Sequence, residues 1–318
     1  MTSTAILLLN MGGPLRQARV KPFLLELFND RDIIRLGPAF LQPLIARIIV
    51  NSRLKDVLQR YREIGGGSPI LRESAAQAQA LRRALRQAGR TEPVKLVFRY
   101  EAPRAEGMLR VLQSRGISRL LPVTLYPHDC RATTGSSLRD LERLAPAFGM
   151  ELLEGVRHYA LDPDFLAAWE DALRAALVSY PDATVLFSAH SLPRKQVEQG
   201  DPYEREIEAC VAALKTRLGA LPGGHRLAYQ SKVGPIPWLT PNVADVIPDL
   251  AGRDVIVAPI SFVSEHIETL HELDIEYAHL AKASGVRSWT RVPVPGTHPA
   301  YIRCLARRTI AALHREPD

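Results

Sequence analysis

The chain is expected to adopt an α/β fold of parallel sheets wound in two similar lobes. Three observations lead there. Short apolar runs of the length of buried strands recur along the chain, helical patterns lie between them, and two of the strand-and-loop stretches look loosely equivalent.

The strand runs are Ala5–Leu9, Val94–Phe98, Leu120–Leu125, Thr184–Phe187 and Asp254–Pro259. Each is rich in Val, Leu, Ile or Phe and lacks the alternation of a half-exposed strand. Between them, Ser74–Ala88 is dense in Ala, Leu, Gln and Arg and closes at Gly89, and Phe165–Val178 and Glu204–Leu218 read alike. The stretches Ile6–Pro14 (ILLLNMGGP) and Val185–Pro193 (VLFSAHSLP) are each a strand followed by a loop with Gly or Pro. Each is followed further on by a strand ending in a polar cluster, Thr124–Asp129 and Ser261–His266. Strand carboxyl ends are where such sheets bind ligands. The lobes are expected to span residues 1–150 and 151–318, with a last helix, about Pro299–His314, packing back on the first lobe.

Composition narrows the function. The 318 residues are 46% hydrophobic, ample for a large core, and the formal net charge of +7 suits an anionic partner. Scattered basic residues and 6% aromatics argue against nucleic acid. Three distant cysteines, Cys130, Cys210 and Cys304, argue against a disulfide framework, a zinc site or an iron–sulfur cluster. No apolar run is long enough for a membrane span, and the first residues lack a basic region and a cleavage site. A cytoplasmic location is expected.

One segment departs from the pattern. Leu36–Val50 is very apolar, is interrupted by Pro38 and Pro43, and is flanked by Arg31, Arg35, Arg47, Arg53 and Lys55. It reads as a core helix with a proline start, or as an apolar lip for a greasy substrate or an anionic membrane surface.

Two stretches offer chemistry. His190 follows a buried strand, and a loop imidazole there can take a proton or hold a metal. In Ser264–Tyr277, read as an α-helix, Glu265, Glu268, Glu272 and Glu276 share one stripe with few basic partners. That stripe reads as a solvated face, or as oxygen ligands and a proton relay; a widened turn would alter the facings. Gly65-Gly66-Gly67 reads as a turn or a close backbone approach, and no phosphate-loop, dinucleotide or nucleophile-elbow motif is present.

The strings Leu7–Pro14, Tyr61–Ile70 (YREIGGGSPI), Phe98–Pro103 (FRYEAP), Thr133–Leu138 (TTGSSL), Phe187–Pro193 (FSAHSLP), Gly200–Tyr203 (GDPY), Tyr229–Pro241 (YQSKVGPIPWLTP) and Ser261–Tyr277 (SFVSEHIETLHELDIEY) occur in one order. By them the chain resembles the ferrochelatases along nearly its whole length. The resemblance implies two Rossmann-like lobes around a porphyrin cleft and insertion of Fe(II), with porphyrin and iron as substrates and no further cofactor. It implies His190 and Glu268 as the catalytic and metal-binding pair, with Glu272 and Glu276 as an acidic relay. Met11, Tyr61, Ser68, Arg99, Tyr100, Trp238 and Phe262 are implied as porphyrin-binding. Asn10-Met11 is similar to the protoporphyrin type rather than the coproporphyrin type, and peripheral membrane contact is expected. His128-Asp129-Cys130 departs from the family's usual Gln-Tyr-Ser. The rival readings are another tetrapyrrole chelatase and a haem carrier.

Overall fold

The computed structural model describes residues 3–315. The chain divides into two compact units. Among the described residues, one runs from Ser3 to His158 and resumes at Leu305; the other is Tyr159–Cys304.

The first unit contains β1 (Ser3–Asn10), β2 (Val94–Phe98), β3 (Ile117–Thr124) and β4 (Glu151–Leu152). They form one parallel sheet in the order β2-β1-β3-β4. The second unit contains β5 (Thr184–His190), β6 (His225–Gln230), β7 (Asp254–Pro259) and β8 (Ser288–Arg291), all parallel in the order β6-β5-β7-β8. The two sheets are thus wound identically.

Burial explains why the strands read as they do. Ile6, Leu7, Leu8 and Leu9 of β1 are almost wholly buried, as are Val185, Leu186 and Phe187 of β5, because helices cover both faces of a central parallel strand. In the first unit Ala5, Leu7 and Leu9 pack with Leu109, Leu112, Leu138 and Leu141. In the second, Leu186, Val255 and Val257 pack with Val246, Ile247, Leu273 and Tyr277. Each such leucine contributes about 1.5–3 kcal/mol. β4, β6 and β8 are additions to the sequence reading: β4 has two residues, and His225-Arg226-Leu227 and Ser288–Arg291 are too polar to stand out.

The helices Ile70–Gln87, Pro163–Ser179, Tyr203–Leu218 and Pro299–Leu313 lie where the residue pattern places them. The stretch read as an α-helix from Ser264 does not: Glu268–Glu276 is a π-helix, continued by an α-helix over Tyr277–Ala283. A π-helix also opens the segment after β3, Arg131–Gly135.

The apolar segment is only partly a core helix: Ala46 and Val50 are buried, and its other apolar residues are not. Gln42–Glu63 is helical with Pro43 in its first turn, but Phe40 is 81% exposed and Leu44 and Ile48 are 58% and 60% exposed. Its base is held by polar contacts. The buried Gln42 donates to the carbonyls of Phe28 and Ile34 and accepts from Arg31 at 2.7 Å.

The triple glycine is a turn whose last residue packs closely on the loop after β1. Gly65 and Gly66 hold φ of 99° and 93°, left-handed values that side chains disfavour. A β-carbon on Gly67 would lie 2.3 Å from the Leu15 carbonyl oxygen, so only glycine lets this turn close on the loop after β1.

Candidate active site

The second sheet brings its chemistry to the carboxyl ends of β5, β6 and β7. His190 is the last residue of β5 and pairs in register with Gln230, the last of β6. Its backbone is fixed from two sides: the main-chain N–H donates to Ser261 Oγ at 3.0 Å, and Tyr203 OH donates to its carbonyl at 2.9 Å. The π-helix starts at Glu268, just beyond β7, so its first carboxylate reaches the same edge.

His190 Nδ1 lies 3.0 Å from Glu268 Oε2. An ionised carboxylate only accepts, so Nδ1 carries the hydrogen and Nε2 is left for a proton or a metal. His266 Nε2 approaches the same oxygen at 3.5 Å, while its Nδ1 donates to the Ser264 carbonyl at 3.1 Å. One carboxylate oxygen therefore faces two imidazoles. Phe262 borders both rings, with centroids 4.4 Å from His266 and 6.4 Å from His190.

The pair shifts its own titration. Burial works to lower the His190 pKa, but the charge and hydrogen bond of Glu268, with the charge of Glu272, outweigh it and the pKa rises. Burial likewise works to raise Glu268, and the charge and hydrogen bond of His190, with His266, hold it far below the usual carboxylate range.

The acidic stripe is not one row. Glu265 precedes the helix and pairs with Arg291 at 3.0 Å; Arg291, from β8, also holds Asp274 at 2.6 Å. Glu276 sits half-exposed, 3.8 Å from His271. Glu272 lies between, and both of its oxygens are filled by Gln230, Ser231 and Tyr277. In the widened turn a step of four residues falls short of a full turn, whereas in an α-helix it oversteps, so the stripe slants the other way. Among the described residues no three or more His, Cys, Asp and Glu side chains form a group suited to hold a metal ion.

The first unit gathers a different set. Arg99 donates to Asp30 at 2.7 Å and to Ser136 at 3.0 Å, and Tyr100 OH donates to the same Asp30 oxygen at 2.7 Å. Tyr100 and Tyr61 are almost fully buried, so they can shape a pocket but present little surface to one. Burial, reinforced by Asp30, keeps the Tyr100 phenol un-ionised by raising its pKa. Ser68 is buried against Gly13, and its N–H donates to the Pro14 carbonyl at 2.7 Å. Met11 is partly open at the end of β1. In the second unit, Trp238 is partly buried and donates to the Val233 carbonyl.

The repeated winding relates Met11 to His190. Leu125 N–H donates to the Leu9 carbonyl just as Ile260 N–H donates to that of Ser188, and Phe98 N–H donates to Pro103 as Tyr229 N–H does to Pro241. Leu9 thus corresponds to Ser188, and two residues on Met11 corresponds to His190.

His266, Gln230, Ser231, Tyr277 and Asp30 are absent from the site drawn from sequence. Gln230 and Ser231 lie in the string Tyr229–Pro241 and His266 and Tyr277 in Ser264–Tyr277, so position was the available signal; the pairing needed the β5–β6 register.

Two four-stranded parallel sheets wound alike, with helices packed on them, make a fold shared with solved chelatases. The chain is similar to SirB from Bacillus subtilis, solved with Fe3+, at a TM-score of 0.58, with 14% identity and coverage of 98% of this chain and 96% of that one. It is similar to CbiX, the terminal enzyme of sirohaem biosynthesis in denitrifying bacteria, at 0.54, with 13% identity and coverage of 98% and 99%. Those likenesses concern the fold.

The chain belongs to the ferrochelatase family, enzymes of haem biosynthesis that insert iron into a porphyrin. The family model for ferrochelatase matches residues 3–313. A ferrochelatase of Geobacter metallireducens is 42% identical over 95% of this chain and 96% of its own length. One of Nostoc sp. is 40% identical over 99% and 84%, and one of Synechococcus sp. 43% over 95% and 91%.

Proposed function

We propose that the porphyrin is protoporphyrin and that His190 and Glu268 carry the insertion of Fe(II). The supporting observation is the pair itself: Nδ1 of His190 is held by Glu268 at 3.0 Å, which leaves Nε2 available at the edge of the sheet. Two pyrrole N–H protons must leave as the metal enters. His190 Nε2 accepts one while the other passes to solvent, and Glu268 stabilises the imidazolium that results; if Nε2 instead takes a place in the transient coordination of iron, both protons pass to solvent. The residues read as porphyrin-binding are Phe262 and Trp238 in the second unit and Met11, Tyr61, Ser68, Arg99 and Tyr100 in the first. The resemblance of Asn10-Met11 to the protoporphyrin type, where the coproporphyrin type tends to carry a tyrosine at the Met11 position, favours protoporphyrin.

No cofactor takes part in this reading. The three cysteines are buried in separate elements, Cys130 at the first π-helix, Cys210 in Tyr203–Leu218 and Cys304 in Pro299–Leu313; in this reading they pack the core and hold no iron–sulfur cluster. The enzyme works in the cytoplasm, at the inner face of the membrane. No helix of the described residues is long and apolar enough to cross a membrane; the contact in this reading is peripheral. Phe40, Leu41, Leu44 and Ile48 are exposed beside Arg47 and Arg53, a pattern that meets apolar tails and anionic headgroups together.

The test is anaerobic turnover of Fe(II) with protoporphyrin and, in parallel, coproporphyrin. His190→Ala is expected to lower kcat by about 10²- to 10⁴-fold, the usual worth of a positioned acid–base group, with porphyrin binding retained. Near-wild-type turnover in a folded His190→Ala enzyme would overturn the role, and preferred turnover of coproporphyrin would overturn the substrate.

A further inference from the structure

Ser231 is the one non-glycine residue, among those described, with a positive φ, at 67°. A β-carbon disfavours that conformation, so something must hold it. Glu272 does. The Ser231 N–H donates to Glu272 Oε1 at 2.8 Å, and the Ser231 hydroxyl donates to Oε2. Gln230 Nε2 donates to Oε2 at 3.1 Å and Tyr277 OH to Oε1 at 3.0 Å. Gln230 is itself fixed, since its Oε1 accepts from Ser188 at 2.6 Å and its Nε2 also donates to the Glu268 carbonyl. Four donors meet two carboxylate oxygens, which commits the lone pairs that a proton carrier would need to offer in turn.

The clamp governs a loop. Ser231 opens the segment from β6 to Pro241, and the far end of that segment is pinned to the residues just beyond His190. Arg194 N–H donates to the Pro237 carbonyl at 3.0 Å, Leu239 N–H donates to Leu192 at 2.9 Å, and Trp238 bridges to Pro193. Between these anchors Lys232 and Gly234–Pro237 are exposed. The direction in which the chain leaves β6 thus depends on one residue held in a disfavoured conformation by one carboxylate.

We infer that Glu272 is a positioning residue, which holds Ser231 in the left-handed conformation and so sets the Ser231–Pro241 loop, with Trp238, beside the end of the His190 strand. This departs from the relay role that the acidic pattern suggests, and it rests on the reading that Trp238 borders the porphyrin.

The experiment uses the full chain with Ser231→Ala, Ser231→Gly, Glu272→Ala and the double variant Glu272→Ala/Ser231→Gly. The readouts are kcat, the KM for protoporphyrin, and the Trp238 emission, taken as the difference between each variant and its Trp238→Phe counterpart. Ser231→Ala and Glu272→Ala are expected to raise KM by on the order of tenfold, the size of one charge-assisted hydrogen bond, with kcat within about twofold and Trp238 emission shifted. Ser231→Gly is expected to stay near wild type, because glycine takes the left-handed conformation without help, and it should rescue the KM of Glu272→Ala. A fall in kcat with unmoved KM in Glu272→Ala, not rescued by Ser231→Gly, would overturn the inference and return Glu272 to the proton path. Unchanged KM and emission in Ser231→Ala would overturn it as well. Shifted emission with unchanged KM would uphold the clamp and overturn the contact between Trp238 and porphyrin. If Glu272→Ala fails to fold, the Ser231 pair alone decides.

Discussion

Glu268 presents one oxygen to two imidazoles, and the consequence is a pH dependence with a definite sign. A general base must be unprotonated to work, and the raised pKa of His190 keeps it protonated to a higher pH than an ordinary histidine. The acid limb of kcat/KM is therefore expected to have its midpoint above 6.5. Glu268→Gln removes the charge that raises it, so the limb should move to lower pH while the plateau falls by about 10²-fold or more. A limb that stays in place, in profiles measured with saturating iron, would detach it from His190. Stability follows the same pair. The raised His190 contributes fully below about 6.5 and loses its contribution as pH rises through its folded pKa; the depressed Glu268 contributes above about 4.5 and loses its contribution as pH falls through its own. The Tm difference between wild type and Glu268→Gln should thus be largest between about pH 4.5 and 6.5 and should narrow at pH 9, as thermal melts across that range would show.

At the scale of elements, the π-helix Glu268–Glu276 and the exposed turn before Gln42–Glu63 matter most. Serines at Phe40 and Leu44 should weaken binding to anionic vesicles several-fold and leave stability within about 0.5 kcal/mol, the ordinary effect of surface changes. A large fall in Tm with unaltered flotation would mean that these side chains hold the fold instead. How far these elements were legible depends on their burial. β1, β3, β5 and β7 were readable because two covered faces demand continuous apolar residues, and His190 was readable because it ends such a run. β6 and β8 were not, since these edge strands take His, Arg, Ser and Thr at their more open positions, whereas β2, also at an edge, keeps Val, Leu and Phe and was readable. The acidic helix was legible as a row of glutamates but not as a π-helix, and the difference decides which groups they meet. Arg291 on Glu265 comes from β8, a strand with no clear sequence signal. Ser231 on Glu272 depends on the register of β5 with β6, which no local pattern encodes.

The whole molecule repeats one winding, and the first unit borrows the end of the chain. Leu305 and Thr309 of the last helix are fully buried, and Arg308 donates to the His158 carbonyl at 3.4 Å. A chain ending at Cys304 should lose about 1.5–3 kcal/mol from Leu305 alone. Hydrogen exchange should place that loss in β1 and β3, with β5 and β7 protected as before; equal deprotection of both sheets would mean that the two units unfold as one. The same feature bears on synthesis. A chain made from its N-terminus at about 5–20 residues per second delivers β4 some 150 residues before Leu305, roughly 8 to 30 seconds earlier. The second unit has all of its strands and helices while the first still waits for its last helix. The half of the enzyme that leaves the ribosome first is finished last, and for that interval the surface that Leu305 and Thr309 will cover is open to a chaperone.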